Sequence, residues 1–112
     1  MADMNKAELS GALMERVAIE AWIDVRDDAG ATAGYWQPRG VAYAAVVPDG
    51  GGLVDGEARR SRRRWRITLR APADVELTSR LIWGSRILAV LAVESDPRQP
   101  DRVTVRSEAR EA

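Results

Sequence analysis

Seven arginines occupy the fourteen positions of EARRSRRRWRITLR, residues 57–70, in a chain whose formal net charge is zero. A guanidinium presents a fixed fork of donors that suits phosphate or carboxylate oxygens, so such a cluster can do recognition chemistry. It divides into two parts. Arg64, Arg66 and Arg70 alternate with Trp65, Ile67 and Leu69, the pattern of a strand whose arginines form its wet face. Arg59, Arg60, Arg62 and Arg63 stand before that alternation begins, at the end of the glycine-rich stretch PDGGGLVDGEA (48–58). Only Asp55 and Glu57 offset them locally. A mobile loop ending in such charge is expected to reach phosphates, or acidic residues on a neighbouring subunit.

Other chemistry is sparse. Cysteine and histidine are both absent, which removes disulfides, thiolate nucleophiles, the commonest general base and the commonest transition-metal ligand. The serines therefore have no imidazole to activate them. The adjacent Asp27 and Asp28 lie in a turn-forming cluster, RDDAGATAG (26–34). Glu94 and Asp96 stand at a strand end and a turn. Both pairs suit turn chemistry better than acid–base work. No phosphate-loop signature follows PDGGG, since no Lys-Ser/Thr appears after it. The chain is not expected to be an enzyme, nor to use a cofactor or metal. No apolar run is long enough to span a bilayer, and MADMNKAELSGALMER lacks the form of a signal peptide. A soluble protein made in the cytoplasm, without a membrane partner, is expected.

Four tryptophans complete the inventory. Trp65 falls on an inward parity and Trp83 flanks a turn, so core and barrel rim are their expected places. Trp22 falls on a polar parity and Trp36 beside a bend, which makes them candidate partner-interface residues.

The elements that position these groups follow from periodicity. The 112 residues suit one domain, 1–112, with a modest core. A short N-terminal helix is expected over 2–14, with Asp3 as N-cap and Leu9, Leu13 and Met14 on one face. RVAIEAWID (16–24) alternates with Val17, Ile19, Ala21 and Ile23 inward. YWQPRGVAYAAVV (35–47) reads as a second strand, interrupted around Pro38 and Gly40 by a bulge or bend. A long Gly/Arg-rich loop spans 48–63, and residues 64–70 form a third strand. RLIW, Gly84-Ser85 and RILAVLAV form a tight hairpin. Its second strand is apolar on both parities from Ile87 to Val93, so it is expected to be covered on both faces. After the turn SDPRQPD (95–101), DRVTVRSE closes the chain with Val103 and Val105 inward. The fold class is mainly β, a small antiparallel barrel or sandwich of about six strands.

Taken in order, these segments resemble the head–tail adaptor family of tailed bacteriophages, the head-completion or stopper proteins beneath the portal. The family's opening Leu-x-x-Arg-Val-x-Ile is matched by Leu13, Arg16, Val17 and Ile19. Its polar turn is matched by Asp28 and Gly30, and the following Trp by Trp36. Its Ala-x-Val-x-Pro strand end falls at Ala44, Val46 and Pro48, and its Arg-x-x-Ile/Thr-x-Arg strand at Arg64, Ile67 and Arg70. The closing aromatic-Gly-x-Arg falls at Trp83, Gly84 and Arg86. The family often carries Trp where this chain has Tyr43. Order and spacing over residues 13–108 carry the resemblance.

That resemblance implies a structural virion protein, from a phage, a prophage or a gene transfer agent. Its subunits would form a homo-oligomeric ring with portal or adaptor protein on one side and tail terminator or tail tube on the other. Packaged double-stranded DNA would fill the channel. Ring symmetry would gather Arg59, Arg60, Arg62 and Arg63 of every copy into a collar, which makes the neutral monomer compatible with a charged channel. The competing reading is a free-standing nucleic-acid-binding barrel, akin to an OB-fold. It requires aromatics displayed for base stacking, whereas Trp65 shares inward parity with Ile67 and Leu69.

Overall fold

The structure is a computed structural model that describes residue 9 and residues 11–30, 32–49 and 63–110. Six strands run β1 (Glu15–Arg26), β2 (Thr32–Pro48), β3 (Arg64–Arg70), β4 (Ser79–Trp83), β5 (Arg86–Glu94) and β6 (Arg102–Arg110). All pairings are antiparallel. The order β1-β2-β3-β6-β5-β4 returns to β1 and closes a barrel. Closure removes the sheet edges that an open sandwich would leave.

Alternation fills the interior. Val17 and Ile19 of β1, Ala44 of β2, and Trp65, Ile67 and Leu69 of β3 meet Leu81, Leu88, Val90 and Val105 from the other three strands. Val75, from the connector between β3 and β4, joins the same cluster. Two serines are buried with them, and each is bonded. Ser107 donates to the Trp65 carbonyl at 3.0 Å. The Ser79 hydroxyl accepts from the Glu76 amide at 2.9 Å. A polar group taken from water costs little when it is paired in this way.

Two irregularities shape the barrel. Of the bulge or bend expected in β2 a bulge is present, since Ile19 faces Gly40 while Glu20 faces Pro38, leaving Arg39 as the extra residue. Gly40 has φ of 112° there, a conformation that disfavours any side chain. The second bulge, in β5, corrects the expectation that Ile87–Val93 is covered on both faces. Val90 faces Ser107 and Ala92 faces Arg106, so Leu91 is the inserted residue, and it is 44% exposed. The insertion flips the parity of the rest of the strand. Leu88 and Val90 point inward before it, and Val93 packs on the core after it. A one-sided strand with a bulge thus reads as a two-sided strand in sequence.

The expected N-terminal helix, 2–14, falls largely outside the described residues, and among the described residues no helix forms an element. Leu9 is buried, and the Leu13 amide donates to its carbonyl at 3.1 Å, a single turn. Met14, expected on the apolar face beside Leu9, is exposed, because the chain has by then entered its approach to β1.

Strand length creates the other major feature. β4 pairs with β1 only over Ala18–Ala21, and β3 pairs with β2 only over Ala44–Pro48. Among the described residues, 22–26 and 32–43 therefore pair with β2 and β1 alone. The stretch beyond Ala21 forms a two-stranded arm that leaves the barrel wall. Ala21 and Ile23, expected to point inward, are only half-buried: Ala21 is the last residue of β1 paired with β4, and Ile23 lies beyond it on the arm.

Candidate interaction surfaces

The arm carries both residues singled out as interface candidates. Trp22 and Trp36 are register partners and meet edge to face, with ring centroids 5.2 Å apart. Trp22 Nε1 donates to Asp24 Oδ1 at 2.8 Å. The Arg80 guanidinium of β4 lies 4.2 Å from the Trp36 ring centre, and its Nε donates to Glu20 Oε1 at 2.6 Å. A cation held over an aromatic face and bonded to a carboxylate fixes the ring plane. Trp36 is half-buried by these contacts, and Trp22 stays partly exposed. Gly34, across from Asp24, leaves room for the Trp22 ring. A Cβ there would enter that ring and come within 2.8 Å of the Ile23 carbonyl oxygen.

The opposite face of the arm continues the inward parity of the barrel. There Ile23 faces Tyr35 and Val25 faces Ala33. No barrel covers them: Val25 is 47% and Tyr35 49% exposed. At the tip, Asp27 closes the turn, as expected of a turn former. Its carboxylate accepts from the Ala29 amide at 3.0 Å and its carbonyl from the Gly30 amide at 3.1 Å.

At the other end of the barrel lies the mouth where β3 begins and β4 turns into β5. Trp65 and Trp83 meet edge to face there at 4.9 Å. Arg86 lies over both rings, 5.5 Å from Trp65 and 4.7 Å from Trp83. Arg63 lies 5.7 Å from the Trp65 ring centre. Trp83 Nε1 donates to Glu15 Oε1 at 2.9 Å, tying the β4–β5 turn to the start of β1. The turn is tight because Gly84 takes φ of 61°. Trp65 is buried as expected, and its Nε1 has no partner among the described residues.

The residues joining β2 to β3 leave and re-enter at this same mouth, marked by the bond from the Asp49 amide to the Arg64 carbonyl at 2.9 Å. Of the four loop arginines, Arg59, Arg60 and Arg62 lie outside the described residues. Arg63 is exposed, beside Trp65.

The outer wall has its own charge pattern. Arg66 faces Arg106, and Arg70 faces Arg102, across the β3–β6 ladder. Like charges directly opposite one another oppose pairing. Neighbouring carboxylates compensate some of them. Arg106 lies 3.7 Å from both Asp49 and Glu94, and Arg102 lies 3.1 Å from Asp101. The Arg102 side-chain bond, first among the causes, holds the Asp101 carboxyl below its ordinary value.

Sequence reasoning singled out Trp22 and Trp36, which stand on the arm, and Arg63, which stands at the barrel mouth, and it read the alternation of Arg64, Arg66 and Arg70. It missed Arg80 and Arg86 as ring-capping cations and Tyr35 as an exposed aromatic. Arg86 carried a signal, since an arginine closing a two-residue turn from Trp83 must lie beside it. Arg80 carried none, because its partner Trp36 is remote in the chain.

A family model described as phage head completion protein matches residues 9–110. Among solved structures, the chain is similar to a chain of the virion of a native gene transfer agent particle. That match has a TM-score of 0.63 and 25% identity, and it covers 83% of this chain and 90% of that one. It is also similar to the solution structure of a Shigella flexneri 2a protein, with a TM-score of 0.68 and 21% identity, covering 88% of this chain and 94% of that one. No curated protein matches.

Proposed function

The chain belongs to the phage head completion protein family, a structural component of the head–tail connector of a virion, and on that premise we propose that it forms a ring extending the portal channel. The whole chain acts as one connector domain, with the portal or adaptor on one side and the tail on the other. The family match over residues 9–110 carries this reading. The closed barrel supports it, because a barrel of this size cannot enclose a duplex whereas a ring of barrels can. The particle is a phage or a gene transfer agent, its parts are assembled in the bacterial cytoplasm, and the protein performs no catalysis.

Arg59, Arg60, Arg62 and Arg63 face the channel in this proposal and contact the phosphates of packaged DNA. The exposed Arg63 beside Trp65 at the barrel mouth is consistent with it. Ring symmetry multiplies each charge by the copy number, so a monomer of zero net charge still lines a positive channel.

The free-standing nucleic-acid-binding barrel has less support. Stacking platforms need open aromatic faces. Trp65 is buried, Trp36 lies beneath Arg80, and Trp22 meets Trp36 edge to face, while the exposed Tyr35 and Tyr43 lie on β2 and not in the arginine-rich 57–70 segment that would form the groove.

Deletion of the gene tests the proposal. Heads should package DNA but lose it and fail to join tails, and the wild-type gene should restore tailed particles. Replacing Arg59, Arg60, Arg62 and Arg63 together with serine should leave the barrel folded and reproduce the DNA loss. Normal, DNA-retaining tailed particles from the deletion strain would refute the connector role. Tight, salt-dependent binding of the free monomer to DNA would favour the alternative.

A further inference from the structure

We propose that the hairpin arm of one subunit packs on the outer wall of β2 and β3 of a second copy of this chain. The inference rests on the ring reading and names the surfaces that would build the ring.

The arm has the features of a segment that is covered in an assembly. Among the described residues, neither of its outer edges is paired beyond Ala21 and before Ala44, and an isolated two-stranded ribbon is marginal in water. Its inward-parity face shows Val25 and Tyr35 to solvent. In a strand of this alternation such residues would be core, and among the described residues nothing covers them, which marks the face as one for a second molecule. The tip adds Asp24, Asp27 and Asp28 against the single Arg26, so it is acidic.

The outer wall offers the complementary chemistry. Val41, Tyr43 and Val47 point outward from β2, each at least 44% exposed, with Tyr43 at 61%. Arg16 faces Tyr43 from β1, and Arg66 faces Val47 from β3. Both arginines are exposed, and neither has an ion pair among the described residues. An apolar stripe bordered by these arginines suits an apolar ribbon with an acidic tip, in both hydrophobicity and charge.

A second copy is the required occupant. Tyr35 and Tyr43 belong to the same continuous strand, so the arm cannot turn back onto its own wall. Arm and wall are different surfaces, which makes the contact head-to-tail, and such contacts generate rings when the rotation closes.

Cross-linking in assembled particles tests this. The chain has no cysteine, so introduced thiols react alone. Particles carrying both Tyr35→Cys and Tyr43→Cys, treated with a short bis-maleimide, should give a ladder of covalent multimers of this chain. Either single variant should give none. A charge swap supplies a second readout. Arg66→Glu should lower the yield of tailed particles at least tenfold, and adding Asp28→Arg should restore most of it. Particles that contain a ring of the chain but give no ladder would overturn the arm–wall contact and leave the ring reading standing. Dimers from Tyr35→Cys alone, or its capture of a different virion protein, would overturn it in favour of an arm–arm or arm–portal contact. Absence of the chain from particles would overturn both.

Discussion

Gly34→Ala separates the arm from the barrel more sharply than any other single substitution. The new Cβ falls into the Trp22 ring and within 2.8 Å of the Ile23 carbonyl oxygen. The indole must yield, and the paired strands must also shift locally to relieve the contact with the backbone oxygen. Leaving its place, Trp22 loses its edge-to-face contact with Trp36, worth about 0.5–1.5 kcal/mol. It also loses the bond to Asp24, worth roughly 0.5–1.5 kcal/mol at most at an exposed site. The sum, roughly 1–3 kcal/mol, is comparable to the whole stability of a two-stranded ribbon. None of it belongs to the barrel, because Gly34 and Trp22 lie beyond the last pairing with β3 and β4. Hydrogen exchange resolved by residue is the assay. Amides of residues 22–36 should lose protection by about tenfold to a hundredfold, at about 1.4 kcal/mol per tenfold. Amides of Ile67, Leu81 and Val105 should keep theirs. Unchanged arm protection, or an equal loss in the barrel, would refute the view that the arm is a separately stabilised unit.

The barrel makes the opposite prediction. Leu81→Ala empties a fully buried position in the core cluster and should cost about 2–5 kcal/mol, lowering the melting temperature by roughly 4 °C or more per kcal/mol for a chain of this size. Ser107→Ala removes a buried bond to the Trp65 carbonyl and should cost about 1 kcal/mol in chemical denaturation. Asp96 accepts from the Arg98 backbone amide, the larger cause, and from its side chain, which holds the carboxyl below the ordinary 3.8. The native state thus binds fewer protons than the unfolded chain near that pH. The associated stability is present above 3.8 and is lost as pH falls through the lower native value. Melting curves from neutral pH into acid should show that loss, and Asp96→Asn should reduce its slope.

Much of this architecture was legible because period-two alternation writes a barrel plainly. Val17, Ile19, Ile67, Leu69 and Val105 fall inward by parity and are buried. Pro38 and Gly40 marked a bulge through backbone chemistry that no neighbour can override. Leu91 was illegible for a physical reason: an inserted residue flips parity, and the two half-strands then superpose into a run that is apolar on both sides. Ala21 and Ile23 misled differently. Their alternation matches that of a core strand, and only the short reach of β4 along β1 shows that Ala21 stands at the barrel's edge and Ile23 beyond it. Parity reports which face is apolar without showing whether anything covers it. The aromatic sites were legible in part. Trp22 and Trp36 stand out by exposure logic, whereas the clamp of Arg80 and Glu20 on Trp36 depends on strand pairing that spans 60 residues of sequence.

The most direct test is the position of this chain in a cryo-electron microscopy map of the intact particle that carries it. The account predicts copies of the barrel arranged around the channel axis between portal and tail, with the mouth that holds Arg63 and Trp65 facing the DNA. A map that places the chain elsewhere in the particle, or places it at the junction with that mouth turned to the outside, would contradict it.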